Sequence, residues 1–269
     1  MPFDDDIALD AGRDGAYHGA ITPGWETPRG PLGGYVMAIA LNAMQLAVGD
    51  GGRQPRSLTT HFLRPAQVGP VTVRPAVERE GRTLSTVTAR MEQGGRLLAI
   101  AVGAFSEPWE SPVLDGAPMP AVSPPDPARP PASDEGLGDG RPRPEFTSRV
   151  TMQHRFGDPP FTRSDEGLVG GWLGFTERRP LDALAITVLA DAWFPAPWPR
   201  LSELAPAPTV DLTVHFRAPL PVPDGVLLGR FSSRLVRDGF FDEDGELWAE
   251  DGTLVAQARQ LGLLIGPRA

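Results

Sequence analysis

Two kinds of hydrophobic pattern alternate along the chain. Pro31–Val48, "PLGGYVMAIALNAMQLAV", is apolar on almost every side, which predicts a buried helix that begins at Gly33–Gly34. Four strand-like runs follow it: "SLTTHFLRP", "VTVRPAVERE", "STVTARMEQ" and "LLAIAVGAF". Turn residues separate them at Val68–Pro70, Glu80–Gly81 and Gly94–Gly95.

The same order returns further on. "LDALAITVLADAW" (Leu181–Trp193) predicts a second apolar helix, with Pro180 ahead of it. Four more runs follow: "TVDLTVHFRAP", "GVLLGRFSSRLVR", "GELWAEDG" and "LVAQARQLGLLI", with turns predicted at Asp238–Gly239, Asp244–Gly245 and Asp251–Gly252. "HFLRP" at His61 and "HFRAP" at His215 occupy matching places. Gly95–Ala99 likewise matches Gly252–Ala256, so the chain is an internal duplication. Each half reads as one helix and a four-stranded antiparallel meander, with a further strand ahead of the helix. Two such halves form a covalent pseudo-dimer of the α+β class, each sheet wrapping its helix.

Between the halves, residues 107–145 contain eleven Pro and few large apolar residues, which predicts an extended linker. The organisation expected is therefore residues 1–106, a linker at 107–145, and residues 146–269.

Composition narrows the chemistry. The chain has 269 residues, 41% hydrophobic and 22% charged, enough for an ordinary globular core. No apolar run is long enough to span a membrane, and the acidic N-terminus lacks the pattern of a secretory signal, so a cytoplasmic location is expected. A net charge of −9 argues against a nucleic-acid partner. There is no Cys, which removes thiolate zinc sites and a Cys nucleophile. The 4 His show no metal-ligand spacing, and all 25 basic residues are Arg, so Schiff-base and P-loop lysine chemistry are excluded. His61 and His215 each precede a Phe on a strand and read as markers of the repeat, not as a catalytic pair.

"PLGGYVMAIAL" before "HFLRP", together with "LADAWF", "DGFFDEDGELWAEDGTLVAQARQ" and the closing "LGLL", resembles the type II (TesB-like) acyl-CoA thioesterases, which have a tandem hotdog fold. The resemblance covers all but the linker and the extreme N-terminus. It implies a curved antiparallel sheet around one long helix in each half, and hydrolysis of an acyl thioester by direct attack of water. It also implies no cofactor beyond the coenzyme A of the substrate, no metal, and possible association into homo-oligomers. In that family an Asp, a Thr or Ser hydroxyl and a Gln position the water. The matching residues are Asp191, in "LADAWF", and Gln260, in "AQARQLGL". The hydroxyl falls in "RFSSRLVRDGF", where the family usually has Thr. Counting back from Gly239 points to Ser232, which is preferred, and counting forward from Leu227–Leu228 points to Ser233. Alternation along a strand lets only one of them face the site. Gly33 and Gly34 are candidates for holding the oxyanion or docking the thioester through backbone N–H groups.

Two other functions remain open at this stage. One is a non-catalytic hotdog protein that binds acyl thioesters, and the other is an enoyl-thioester hydratase or dehydratase. The latter generally needs a His with a carboxylate, and the expected Asp-to-His spacing of five is missing.

Overall fold

The computed structural model describes residues 2–114, 116–126, 143–222 and 225–266. The two long apolar segments become helices α1 (Gly33–Val48) and α2 (Ala183–Leu189). The first half contributes strands β1 (Tyr17–Ile21), β2 (Gln54–Phe62), β3 (Gly69–Glu80), β4 (Leu84–Gln93) and β5 (Arg96–Ser106). The second contributes β6 (Val150–Gly157), β7 (Leu168–Phe175), β8 (Thr209–Phe216), β9 (Leu227–Ser232), β10 (Phe240–Trp248) and β11 (Leu254–Leu263).

All eleven join one antiparallel sheet, in the order β1-β3-β4-β5-β2-β8-β11-β10-β9-β7-β6. Two-residue strands, Asp10–Ala11 against β1 and Val236–Arg237 against β10, complete it. Read from the middle outwards, the order is the same in both directions as far as β1 and β7. This is the layout of a double hotdog, and it bears out the duplication read from the sequence.

The seam between the halves is the pairing of β2 with β8, the two strands that carry "HF". Thr59 lies opposite Thr213, and their hydroxyls meet at 2.9 Å. The matching residues of the two copies thus face each other across a quasi-two-fold axis. His61 pairs with Asp211 and His215 with Ser57, and both histidines are exposed on the outer face.

The inner face packs on the helices. In α1, Met37, Ala38, Leu41, Ala43 and Met44 are completely buried, and they share one core with Val87 of β4, Leu58 of β2 and Val214 of β8. Each large side chain buried in this way contributes about 1.5–3 kcal/mol. Helix α2 is shorter than the sequence pattern predicts. It starts at Ala183, with the Asp182 carboxylate accepting from the Ala185 N–H at 2.8 Å, and stops at Leu189. Beyond it the chain reaches Pro195 and Pro197, which have no N–H with which to continue a helix. Pro180 lies ahead of the helix, in a segment where Leu181 bridges to Val222.

A second departure concerns Asp244–Gly245, read above as a turn. Strand β10 runs straight through it, paired on both sides. The glycine is needed for another reason: a Cβ on Gly245 would lie 2.9 Å from the ring of Phe231 on β9. Phe231 fills the space that a side chain would have taken.

Part of the linker also differs from the expectation of a segment that buries little. Met119 and Val122 pack on the outer-face cluster of Trp172, Leu228 and Trp248. The two indole N–H groups donate to the carbonyls of Ser123 and Ala117, at 2.8 and 3.2 Å. Residues 127–142 of the predicted linker lie outside the described residues.

A buried charge cluster ties the N-terminal segment to both halves. Asp6 accepts hydrogen bonds from Thr22 Oγ1 (2.8 Å), Trp25 Nε1 (3.0 Å) and Arg149 Nη1 (2.8 Å). Arg149 also lies over the Trp25 ring, which stacks on Tyr35 of α1. The first turn of α1 is thereby held in place.

Candidate active site

Asp191 lies two residues beyond the end of α2. Its own helix places a negative C-terminal dipole behind it, which is unfavourable for a carboxylate. The compensation comes from the other half. Helix α1 has no side-chain cap of its own, and Asp191 Oδ2 accepts from the Gly34 N–H at 2.7 Å. The Asp is an N-terminal cap supplied across the pseudo-dimer. Burial raises its pKa to about 6, and the hydrogen bonds from Gly34 and Gly33 hold it down from going further.

Gly33–Gly34 is what allows this approach. A Cβ on Gly34 would lie 2.7 Å from the Thr187 carbonyl, 2.9 Å from Asp191 Cβ and 3.0 Å from Val188 Cα. A Cβ on Gly33 would lie 2.9 Å from Asp191 Oδ2. The sequence reading gave the amides of this pair to the substrate. In the structure the Gly34 amide is already bound to Asp191, so the pair positions the carboxylate. Gly34→Ala should cost about 1–3 kcal/mol of stability, because two backbone segments must part. It should also lower activity by displacing Asp191. Thermal melting beside a thiol-release assay checks both.

Gln260 is buried on the inner face of β11, opposite Glu243 of β10 and Leu212 of β8. Its Oε1 accepts from Thr209 Oγ1 at 2.8 Å, and its Nε2 donates to Glu243 Oε1. Glu243 Oε2 accepts from the Ala196 N–H at 2.6 Å. Burial raises the pKa of Glu243 to about 7; the Ala196 and Gln260 hydrogen bonds oppose this, while the charge of Asp191 adds to it.

The two serines separate as alternation requires. Ser233 is buried, on the side of the buried Phe231 two residues before it, whereas Ser232 is half-buried on the other side with Arg230. Continuing the register in which Ser232 faces Asp244 puts Ser233 level with Glu243. The preferred Ser232 thus faces outwards and Ser233 inwards, where the Ser233 N–H donates to the Gly167 carbonyl at 2.7 Å, one step on in the pairing of β9 with β7. Counting back from Gly239 failed because residues 233–235 leave the strand before the Asp238–Gly239 hairpin.

Glu243 and Thr209 were missed in the sequence. The predicted turn at Asp244–Gly245 hid Glu243 by ending the strand beside it. The alternation Phe241, Glu243, Gly245, Leu247, all buried, is the signal that would have found it. Trp193, stacked on Phe231, completes the surroundings, and its buried indole N–H has no partner among the described residues.

The Glu243–Gln260 pair has no polar counterpart in the first copy, although that copy supplies Gly34. In the first copy, the register places Val87 opposite Gly103 where the second has Glu243 opposite Gln260. There the longer α1 covers the pair, and Met44 Cε comes within 2.8 Å of a Cβ built on Gly103. Helix α2 stops short, and the segment carrying Asp191, Trp193 and Ala196 takes the place of its missing turns.

The architecture is that of a double hotdog. Residues 21–106 match the acyl-CoA thioesterase N-terminal domain and residues 120–264 the acyl-CoA thioesterase C-terminal domain. The chain belongs to the acyl-CoA thioesterase family. It is similar to a hotdog-fold protein of unknown function from Alicyclobacillus acidocaldarius, with 28% identity, TM-score 0.86, and coverage of 99% of this chain and 98% of that one. An acyl-CoA thioesterase II, TesB2, from Mycobacterium marinum shares the fold, with 20% identity, TM-score 0.77, and coverage of 100% and 99%. An uncharacterized protein of Mycobacterium tuberculosis is 27% identical over 282 residues, 98% of this chain and 95% of that protein. No helix among the described residues is long and apolar enough to cross a membrane.

Proposed function

We propose that the enzyme hydrolyses an acyl-CoA thioester to the free acid and coenzyme A, with Asp191 as general base for a water molecule. The observation that carries this reading is the Asp191 carboxylate, held on the N-terminus of α1 with its pKa raised to about 6. It is ionised at pH 7, yet more basic than an ordinary Asp, which suits proton abstraction near neutrality. Glu243 is more deeply enclosed and both its oxygens are engaged, so Asp191 is the carboxylate that can meet water.

In the reaction, water oxygen attacks the thioester carbonyl carbon while Asp191 takes one of its protons. The tetrahedral intermediate collapses by breaking the C–S bond, and the proton on Asp191 passes to the leaving thiolate. Gln260 and the Ser233 hydroxyl hold the water by donating and accepting without changing charge. The unpaired Trp193 N–H is available to an acceptor brought by the substrate. No covalent nucleophile is required, because a thioester is already activated.

A thiol-release assay across short, medium, branched and aryl acyl-CoA esters tests the reading. Ser233→Ala should lower kcat several-fold, about tenfold at most for one hydrogen bond, with Ser232→Ala near wild type. Release of no thiol from any ester would sink the hydrolase reading.

A further inference from the structure

We propose that Glu243 is a positioning residue for the hydrolysis: its carboxylate sets which end of the Gln260 amide faces the reacting water. The proposal rests on the hydrolase reading above and adds a residue to it.

An ionised carboxylate only accepts hydrogen bonds. Both Glu243 oxygens accept, one from the Ala196 N–H and the other from Gln260 Nε2. Thr209 then closes the far end by donating to Gln260 Oε1. The amide is clamped in one orientation by Glu243: reversal would set the Gln260 oxygen against the Glu243 oxygen, two acceptors face to face, whereas the Thr209 hydroxyl can donate or accept. The sheet itself has no need of this clamp. At the matching register of the first copy, Val87 and Gly103 build the same fold with apolar contacts alone. A buried carboxylate is costly, and it persists here beside a second one. That makes sense if its hydrogen bonds serve the neighbouring group. The charges acting on Glu243 are those of Asp191, from the segment after α2, and of Asp242 on its own strand.

The test uses Glu243→Gln, Glu243→Val (the residue at the matching place in the first copy) and Thr209→Val. Each full-length protein is assayed for kcat, KM, the pH profile of kcat and thermal melting. The Gln variant keeps one acceptor oxygen for two donors; with that oxygen on the Ala196 N–H, its NH2 meets Gln260 Nε2 and the Gln260 amide turns. It should lose about tenfold to a hundredfold in kcat with KM within about threefold. Its pH profile should keep the limb near pH 6 and lose the contribution near 7, a change that a merely structural residue would not produce. The Val variant should lose kcat to a similar degree while melting cooperatively. Turnover within twofold of wild type and an unchanged pH profile in both would overturn the proposal. Should neither fold, Thr209→Val decides: a fall of several-fold in kcat supports the clamp, and no fall overturns it. If Asp191→Asn abolishes activity while the Glu243 variants match wild type, this proposal fails and the hydrolase reading stands. A wild-type protein inert on all acyl-CoA esters overturns both.

Discussion

Asp191→Asn is expected to reduce turnover by about a hundredfold to ten-thousandfold, the usual contribution of a positioned general base, while making the protein more stable at pH 8. The amide oxygen can still accept from the Gly34 N–H, so the cap on α1 survives. The stability gain follows from linkage. In the folded state Asp191 holds its proton up to about pH 6, whereas in the unfolded chain it loses it near the ordinary Asp value of 3.8. Between those values the folded state binds more protons, so stability falls as pH rises through the window and stays lower above it. The ionised carboxylate costs on the order of 3 kcal/mol, and its neutral replacement removes that cost at pH 8 but not below pH 4. At roughly 2 °C or more per kcal/mol for a chain of this size, melting should shift up by several degrees. Glu243 acts in the same sense over the window from 4.5 to about 7. Wild-type melting should therefore rise as pH falls from 8 towards 5.5. Undiminished turnover of the variant would remove Asp191 from the mechanism, and a lower melting temperature at pH 8 would contradict the electrostatic account.

The second large effect lies far from the chemistry. Asp6→Ala should destabilise the protein by about 3–5 kcal/mol, the scale for breaking a buried ion pair by removing one partner. The substitution leaves the Arg149 Nη1 and Trp25 Nε1 hydrogen bonds without their acceptor, and the Thr22 hydroxyl loses its own. Arg149 comes from the start of the second half and Trp25 from the first, so the cluster holds the halves together at their edge. Because Trp25 stacks on Tyr35, next to Gly34, loosening should be felt at the Asp191 cap as well. Calorimetry or urea unfolding measures the loss, and a change below 1 kcal/mol would show that the cluster is dispensable.

These two residues differ in how far the sequence exposes them. Asp191 can be picked out because a carboxylate amid "VLADAWF" is anomalous. Asp6, in an acidic N-terminal run, looks like a solvated charge until Arg149, from the other half of the chain, is seen to cover it. The same division holds across the fold. Apolar periodicity marks α1, the order of strands and the repeat, since these depend on which residues bury side by side along one segment. "HFLRP" and "HFRAP" locate the seam, because matching segments of a duplicated chain meet at its axis.

What local pattern could not supply is whatever depends on a neighbour distant in sequence. Gly245 has the signature of a turn, but it lies in mid-strand because Phe231 of β9 occupies its side-chain space. Ser232 and Ser233 are indistinguishable in composition, and the direction each faces is set by where β9 ends. Gly33–Gly34 signals close backbone approach from the sequence alone. Only the packing shows that Asp191 is one such visitor. The sequence by itself determines a duplicated helix-and-meander chain with an odd acid after its second helix. Tertiary structure decides that this acid caps the first helix, and that a second acid, Glu243, clamps the glutamine beside it. Burial and cross-strand register, which belong to no single segment, create both.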